Sequence, residues 1–340
     1  MSDIVSMQDQ QQTDLRPGVL SGIRVVDFTW VLAGPQSTRI LAEFGAEVIK
    51  IEDHVYMDLS RRFGGWRETD SPNQSPYFNN FNCNKHSVTL LLSVPEGMEI
   101  LKSLVAVSDV VVENYSSRVM ENRGLDYEGL ARIKPDIIYV SMAGLGHSGP
   151  WRDYRTFGPH VEGLSGLAYL CGYPGREPAA WGFSYMDHTS GYYAALAVLM
   201  AIYHRNRTGE GQYIDLAQVE AAIPLTGSAI LDRTVNGRMT PPPGNRSPNK
   251  PAAPYGIYPC QGEDRWIAIS VFTEDEWRSF AHALGDPAWT KHPNFKDLTS
   301  RLLHQDELDG NVAEWTRARQ LYEAMRLLQA HGVAAGAVQN

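Results

Sequence analysis

The segment WGFSYMD (181–187) runs directly into HTSGYYAALAVLMAIYH (188–204), so one carboxylate, Asp187, stands between an aromatic loop and a run of helical composition. An aspartate at such a junction can accept hydrogen bonds from the open N–H groups of a helix start, and the helix dipole favours its charged form. A carboxylate held beside an apolar loop can also attack an activated acyl carbon. The first reading makes Asp187 a helix cap and the second makes it a nucleophile; the residue by itself leaves both open. Metal chemistry has less to build on. The ten histidines contain no pair four residues apart, and Cys83, Cys171 and Cys260 share no ligand-like spacing.

The elements that would position Asp187 follow from periodicity. Ile23 to Phe28 (IRVVDF) is a β-rich run, GPQSTRILAEFG (34–45) has helical spacing with Pro35 in its first turn, and Glu47 to Glu52 (EVIKIE) is a second strand. A strand, helix and strand within about 30 residues predict a βαβ unit and a parallel sheet. The alternation continues through strands at 86–92, 109–114 and 136–142, with helices at 96–107 and 127–133 between them. That pattern predicts an α/β doubly wound, Rossmann-like domain whose ligands lie beyond the carboxyl ends of the strands. The first turn reads TWVLAGP (29–35) and lacks G-x-G-x-x-G, which argues against a dinucleotide-binding dehydrogenase.

Boundaries come from composition. Residues 1–19 are expected to form a disordered tail, and 20–235 a large domain that includes the Asp187 helix. Residues 236–256 carry six prolines and are expected to connect to a smaller α+β domain over 257–340. In that region IYPCQGEDRWIAISV (257–271) predicts a hairpin turning at Gln261 to Asp264, with helices at EDEWRSFAHALG (274–285) and Arg319 to Gln329. The net charge of -9 excludes a nucleic-acid binder, which needs a basic face to neutralise phosphates. The longest apolar stretch, Tyr192 to Tyr203, is shorter than the ~20 residues that span a bilayer. Free thiols are expected for the three cysteines, as in the reducing cytoplasm.

Several motifs in order resemble the class III CoA-transferase family, of the formyl-CoA transferase and carnitine CoA-transferase type. They are LSGIRVVDFTWVLAGP (20–35), LAEFGAEVIKIE (41–52), the D-x-x-R of Asp58 and Arg61, and NCNKHS (82–87). VVENY (111–115), RGLDYEGL (123–130), IIYVSMAGLGHSGP (137–150), LSGLAYLCGYPGREP (164–178), the Asp187 helix and RTGEGQYIDLAQVEA (207–221) complete the set. The resemblance implies a CoA-transferase that moves CoA from an acyl-CoA donor to a carboxylic acid acceptor, through an aspartyl anhydride and an aspartyl-CoA thioester on Asp187. It further implies a cytoplasmic homodimer of interlocked chains, with coenzyme A as carrier and no metal. Lys85, Arg61, Asn114 and Tyr115 match the family's CoA-contacting positions. Gly191, Gly244 and Gly256 are candidates to bring backbone N–H groups to an oxyanion.

Departures from the family pattern shape the substrate expectation. Leu32 replaces a glutamine, so Leu32, Trp30 and the aromatic loop are expected to line a pocket for a hydrocarbon or aromatic acyl group. The alternative places Leu32 and Trp30 in the core. Asp53 and Asn122 stand where the family has arginines, and the glycine run of a mobile active-site loop is reduced to PPPGN (241–245), which equally reads as a stiff linker. An acyl-CoA racemase of the same fold is a rival, but Phe157 and Gly158 occupy its His–Asp positions, and His160 lies three residues on. A catalytically silent CoA-binding subunit or fragment is another, because family members continue beyond GVAAGAVQN with a closing segment.

Overall fold

β1 (Arg24–Asp27) lies at the centre of a six-stranded sheet in the computed structural model, which describes residues 18–62, 71–246 and 250–339. β2 (Glu47–Glu52), β3 (His86–Thr89), β4 (Val110–Glu113), β5 (Ile138–Ala143) and β6 (Gln212–Ala217) complete it in the order β3-β2-β1-β4-β5-β6. Every pairing is parallel, with Val26 in register with Ile49 and Val111. The strand order reverses direction between β1 and β4, which opens a crevice at their carboxyl ends. The fold is therefore the doubly wound α/β arrangement expected from the alternation. Most of the expected tail falls outside the described residues, as do positions 247–249 of the proline-rich stretch.

Strand residues alternate between two cores, as a period of two demands. Val25, Val48, Val110, Val112 and Val140 face α1 (Ala33–Glu43) and the long α7 (Tyr185–Thr208). Val26, Ile51, Val111 and Tyr139 face the other side, against Leu101 and Val105 of α3 (Pro95–Ala106) and Leu130 of α4 (Tyr127–Ile133). Each fully buried aliphatic side chain contributes about 1.5–3 kcal/mol. α7 ends where Gly209 adopts φ 79, a left-handed conformation that glycine takes without steric cost. Arg205 in its last turn pairs with Asp109 at 2.9 Å.

Five shorter helices are α2 (Pro76–Phe81), α5 (Gly158–Leu164), α6 (Leu167–Leu170), α8 (Gln218–Ala222) and α9 (Gly227–Asn236). No helix among the described residues is long and apolar enough to cross a membrane.

Residues 170–178 and 241–340 form a second unit with its own core. β7 (Tyr255–Pro259), β8 (Trp266–Ser270) and β9 (Ala334–Val338) make an antiparallel sheet. It is packed by α10 (Glu274–Ala283), α11 (Leu298–Leu303), α12 (Gln305–Arg317) and α13 (Leu321–Ala330). The α10 start has a capping box: Thr273 Oγ1 accepts from Glu276 N at 3.2 Å, and Glu276 Oε2 accepts from Thr273 N at 3.2 Å. Residues 170–178 lie within the stretch assigned by sequence to the large domain, yet cluster with the second unit. Within that unit Gly244 N donates to Gly172 O at 3.1 Å.

Candidate active site

Asp187 is the third residue of α7, and Ser184 takes the cap position. This corrects the placement of Asp187 ahead of the helix: the chain turns helical at Tyr185, and Asp187 N donates back to Ser184 O at 3.1 Å. The expectation that the dipole dominates its charge state is corrected as well. Burial pushes the Asp187 carboxyl up to about 6, and Glu162 adds to the rise, against hydrogen bonds from Ser184 and Gln218.

Two elements, α8 and α5, converge on the carboxylate and its turn. Gln218, the first residue of α8, donates from Nε2 to Asp187 Oδ1 at 3.3 Å. Gly158, the first residue of α5, lies so close that a Cβ there would stand 2.8 Å from Asp187 Oδ2. Glu162, one turn along α5, is fully buried and accepts from Tyr185 N through Oε1 at 3.1 Å. Sequence reasoning missed Gln218, Glu162 and the packing role of Gly158. The legible signals were an acid inside the otherwise apolar VEGLSGL (161–167) and an amide just past the carboxyl end of β6.

Gly191, proposed from sequence as an oxyanion donor, has another role. It lies inside α7, where its N–H belongs to the helical ladder, and a Cβ there would stand 2.7 Å from Gln36 Cγ and 3.0 Å from Ala33 O. Its lack of a side chain lets α1 and α7 touch. Gly244 and Gly256 belong to the second unit. There the PPPGN segment is tied down: Arg246 pairs with Asp306, and its Nη2 lies 3.6 Å from Asp309.

Aromatic side chains border the Asp187 turn. Trp181 packs on Tyr185 at 4.3 Å between ring centroids, Phe183 meets Tyr185 edge-on at 5.8 Å, and Phe81 of α2 lies 5.6 Å from the His188 ring. Burial, helped by the charges of Asp187 and Asp58, pushes the Tyr77 hydroxyl up to about 12. Phe183 and Phe157 are largely exposed.

The first βα turn rests on a dense network of buried charge. Lys85 Nζ lies 3.0 Å from Asp27 Oδ2, and donates to Pro35 O at 3.1 Å and Asn82 Oδ1 at 2.9 Å. Burial draws the Lys85 ammonium down to about 8, partly offset by Asp27. Burial alone would raise Asp27, but Lys85, Lys50 and Thr29 hold it below the usual carboxylate range. Lys50 pairs with Asp58 at 3.2 Å. Arg61 grips Glu52 at 2.8 and 2.6 Å, reaches Asn73 Oδ1 at 2.9 Å, and stacks 3.6 Å from the Phe78 ring centre.

Lys85 and Arg61, which the resemblance gave as CoA-contacting positions, are both committed inward. Desolvating a lysine or arginine requires a matched partner, and this network supplies one for each. Asn114 brackets Trp30, accepting from its N–H at 2.7 Å and donating to its carbonyl at 2.9 Å, while Tyr115 meets the Trp30 ring edge-on at 5.7 Å. Val31 adopts φ 65, a strained conformation for a β-branched residue, and is held there by Asp58 Oδ1 accepting its N–H at 3.0 Å. Leu32 is 3% exposed and packs beneath the turn; Trp30 is half-buried.

Of the racemase positions, Phe157 is exposed, and its N–H donates to His160 Nδ1 at 3.1 Å. Cys83 and Cys260 are free thiols. Among the described residues no three His, Cys, Asp or Glu side chains gather as a metal site would require.

The family profile described as CoA-transferase family III matches residues 20–340. The succinyl-CoA--D-citramalate CoA-transferase of Chloroflexus aurantiacus is 34% identical over 322 residues, covering 95% of this chain and 79% of that protein. The succinate--glutarate CoA-transferase of Agrobacterium fabrum is 31% identical over 324 residues, covering 94% and 80%. The crystal structure of a CAIB/BAIF family protein from Brucella suis superposes with a TM-score of 0.87 at 29% identity, covering 96% of this chain and 85% of that one.

Proposed function

Because the chain belongs to CoA-transferase family III, we propose that it moves CoA from an acyl-CoA donor to a free carboxylic acid with Asp187 as the nucleophile. The observation that carries this reading is the surroundings of Asp187. Its carboxylate meets a neutral amide donor and a bare glycine backbone, and no cation pairs with it among the described residues. A carboxylate neutralised by a lysine or arginine would be a poorer nucleophile.

An Asp187 oxygen attacks the donor thioester carbonyl, the carbon–sulfur bond breaks, and CoA thiolate leaves an aspartyl anhydride. The thiolate then attacks the Asp187 carbonyl carbon, releasing the donor acid as its carboxylate and storing CoA as an aspartyl thioester. The acceptor carboxylate attacks that thioester and expels the thiolate again. Attack of thiolate on the acceptor's acyl carbon yields the new acyl-CoA and returns Asp187 as carboxylate. One carboxylate enters and one leaves, so no proton is consumed. Gln218 Nε2, already directed at Oδ1, is suited to donate to the oxyanion that forms on Asp187 itself. Water must be kept out while anhydride and thioester stand.

Asn114 and Tyr115 line the CoA groove through the turn they brace, and Lys85 and Arg61 act on CoA affinity chiefly by fixing that turn. The buried position of Leu32 supports its packing role, so the preference for a hydrocarbon or aromatic acyl group rests on the exposed Phe183 and Phe157 and on Trp181. Exposed Tyr192, Leu196, Met200 and Tyr203 recur at helical spacing on α7 and support a homodimer. The free thiols of Cys83 and Cys260 support a cytoplasmic setting. Against the racemase reading, Gly158 leaves no space for a base beside Asp187 Oδ2.

Mass spectrometry of the chain after incubation with a panel of acyl-CoAs tests the proposal. A CoA or acyl adduct on the peptide containing Asp187 is expected. Acid exchange with no such adduct under rapid quench would overturn it.

A further inference from the structure

We propose that Glu162 is a positioning residue for the transfer reaction: from α5 it holds the first turn of α7, which carries Asp187, and keeps beside that turn a buried carboxyl oxygen without a hydrogen-bond partner among the described residues. This rests on the reading of Asp187 as nucleophile.

The cap residue Ser184 makes no side-chain bond to the backbone N–H groups of the first turn. Backbone carbonyls answer several of them: Ser184 O accepts from Asp187 N at 3.1 Å and His188 N at 3.3 Å, and Phe183 O accepts from Tyr185 N at 2.8 Å. Glu162 Oε1 gives Tyr185 N, the first helical N–H, a second acceptor at 3.1 Å from a different helix. An ordinary cap fixes a helix to its own preceding loop. This one fixes α7 to α5, whose first residue, Gly158, touches Asp187 Oδ2. The acceptor that ties α7 across and the backbone that floors the carboxylate therefore belong to one helix.

The second oxygen extends the argument. Glu162 Oε2 is buried and has no hydrogen-bond partner among the described residues, although an unpaired buried carboxylate oxygen is costly. Its negative field falls on Asp187 and raises the proton affinity of that carboxylate. The other groups facing Asp187 do not reverse this. Gln218 on α8 and Ser184 are neutral donors, and Tyr77 on α2 is itself pushed toward its neutral form. His188, the next residue on α7, is drawn below its usual range by burial and then by Arg39. A carboxylate of raised proton affinity is a stronger nucleophile, so long as the working pH exceeds its pKa.

The test compares three variants with the parent chain in the acyl-exchange assay. Glu162→Gln keeps the acceptor and removes the charge. It is expected to move the acidic limb of the kcat–pH profile down by about half a pH unit or more, with the donor KM within about twofold. Glu162→Ala removes both and should lower kcat at least about tenfold, again with little change in KM. Asp187→Asn separates the two proposals: transfer surviving in it would sink the nucleophile reading, whatever Glu162 does. Should the Glu162 variants fail to fold, carboxyl 13C titration of the parent and of Asp187→Asn serves in their place. A second carboxyl whose titration shifts when Asp187 is neutralised supports the pairing. An unmoved acidic limb and unchanged kcat in folded Glu162 variants, or no second carboxyl responding, would overturn it.

Discussion

Asp27 and Asp187 are the same residue type in the same unit, one fully and one partly buried, yet their proton affinities move in opposite directions. Asp27 ends β1 among Lys85, Lys50 and Thr29 and is held below the usual carboxylate range. Asp187 opens α7 against Gln218, Gly158 and the distant charge of Glu162, and is pushed up to about 6. Burial acts on both; the difference is whether matched cations answer it. Around the first βα turn every buried acid has one: Asp27 with Lys85, Asp58 with Lys50, Glu52 with Arg61. Such paired charge is scaffold. It fixes a strained backbone at Val31 and leaves little free charge for chemistry. Asp187 has no such partner among the described residues and keeps its carboxylate available to react.

The sharpest way to break this contrast is to neutralise each acid's region in turn. Asp187→Asn preserves shape and the contact with Gln218 but removes the attacking lone pair, so kcat should fall by about a thousandfold or more with the circular dichroism spectrum unchanged. Undiminished exchange would place the chemistry elsewhere. Lys85→Met should act on the fold instead. Removing one partner of a buried pair typically costs about 3–5 kcal/mol, because Asp27 is left charged and unanswered. Urea unfolding should report that loss; a variant of parental stability whose only defect is CoA affinity would return Lys85 to the role of a direct phosphate contact.

A pH series separates the two acids in a single sample. Asp187 must be ionised to attack, so kcat should fall as pH drops through about 6, approaching tenfold per unit below it. Asp27 has its folded pKa depressed, so the stability it contributes is present above the unfolded carboxylate value and is lost only as pH falls through the depressed one. Activity should therefore decline well before the fold does. Coincident loss of activity and of the folded signal would remove the distinction. Smallest is the effect of Gly158→Ala. Its Cβ would crowd Asp187 Oδ2, and a displaced nucleophile loses alignment, so kcat should fall about tenfold with the donor KM little changed. Full activity there would show that the α5 floor gives way.

The alternation of strands and helices was legible because each element carries its own period, and α4 begins and ends where its spacing predicts. Asp187 was legible too, from its junction between the aromatic loop and the apolar helix and from the motifs around it. Where the reading of the site departed from the structure, long-range packing was the cause. The partner of Lys85 is not legible until β3 is laid beside β2 in register, which delivers it to Asp27. Between pocket and core the sequence left Leu32 open, and its 3% exposure is set only in the folded chain. The helix dipole argument for a fully ionised Asp187 was correct about the local field but omitted the burial supplied by α2, α5 and α8.

What the sequence determined by itself is therefore local: which segments are strands and helices, the parallel sheet that follows from them, and which acid opens α7. Tertiary structure alone decided the charge state of that acid and its neighbours, the inward commitment of Lys85 and Arg61, and the meeting of Gly158, Glu162 and Gln218 at Asp187. The reason is electrostatic. Periodicity is a property of neighbours along the chain, whereas a proton affinity depends on every group within a few ångströms and on how much water remains between them.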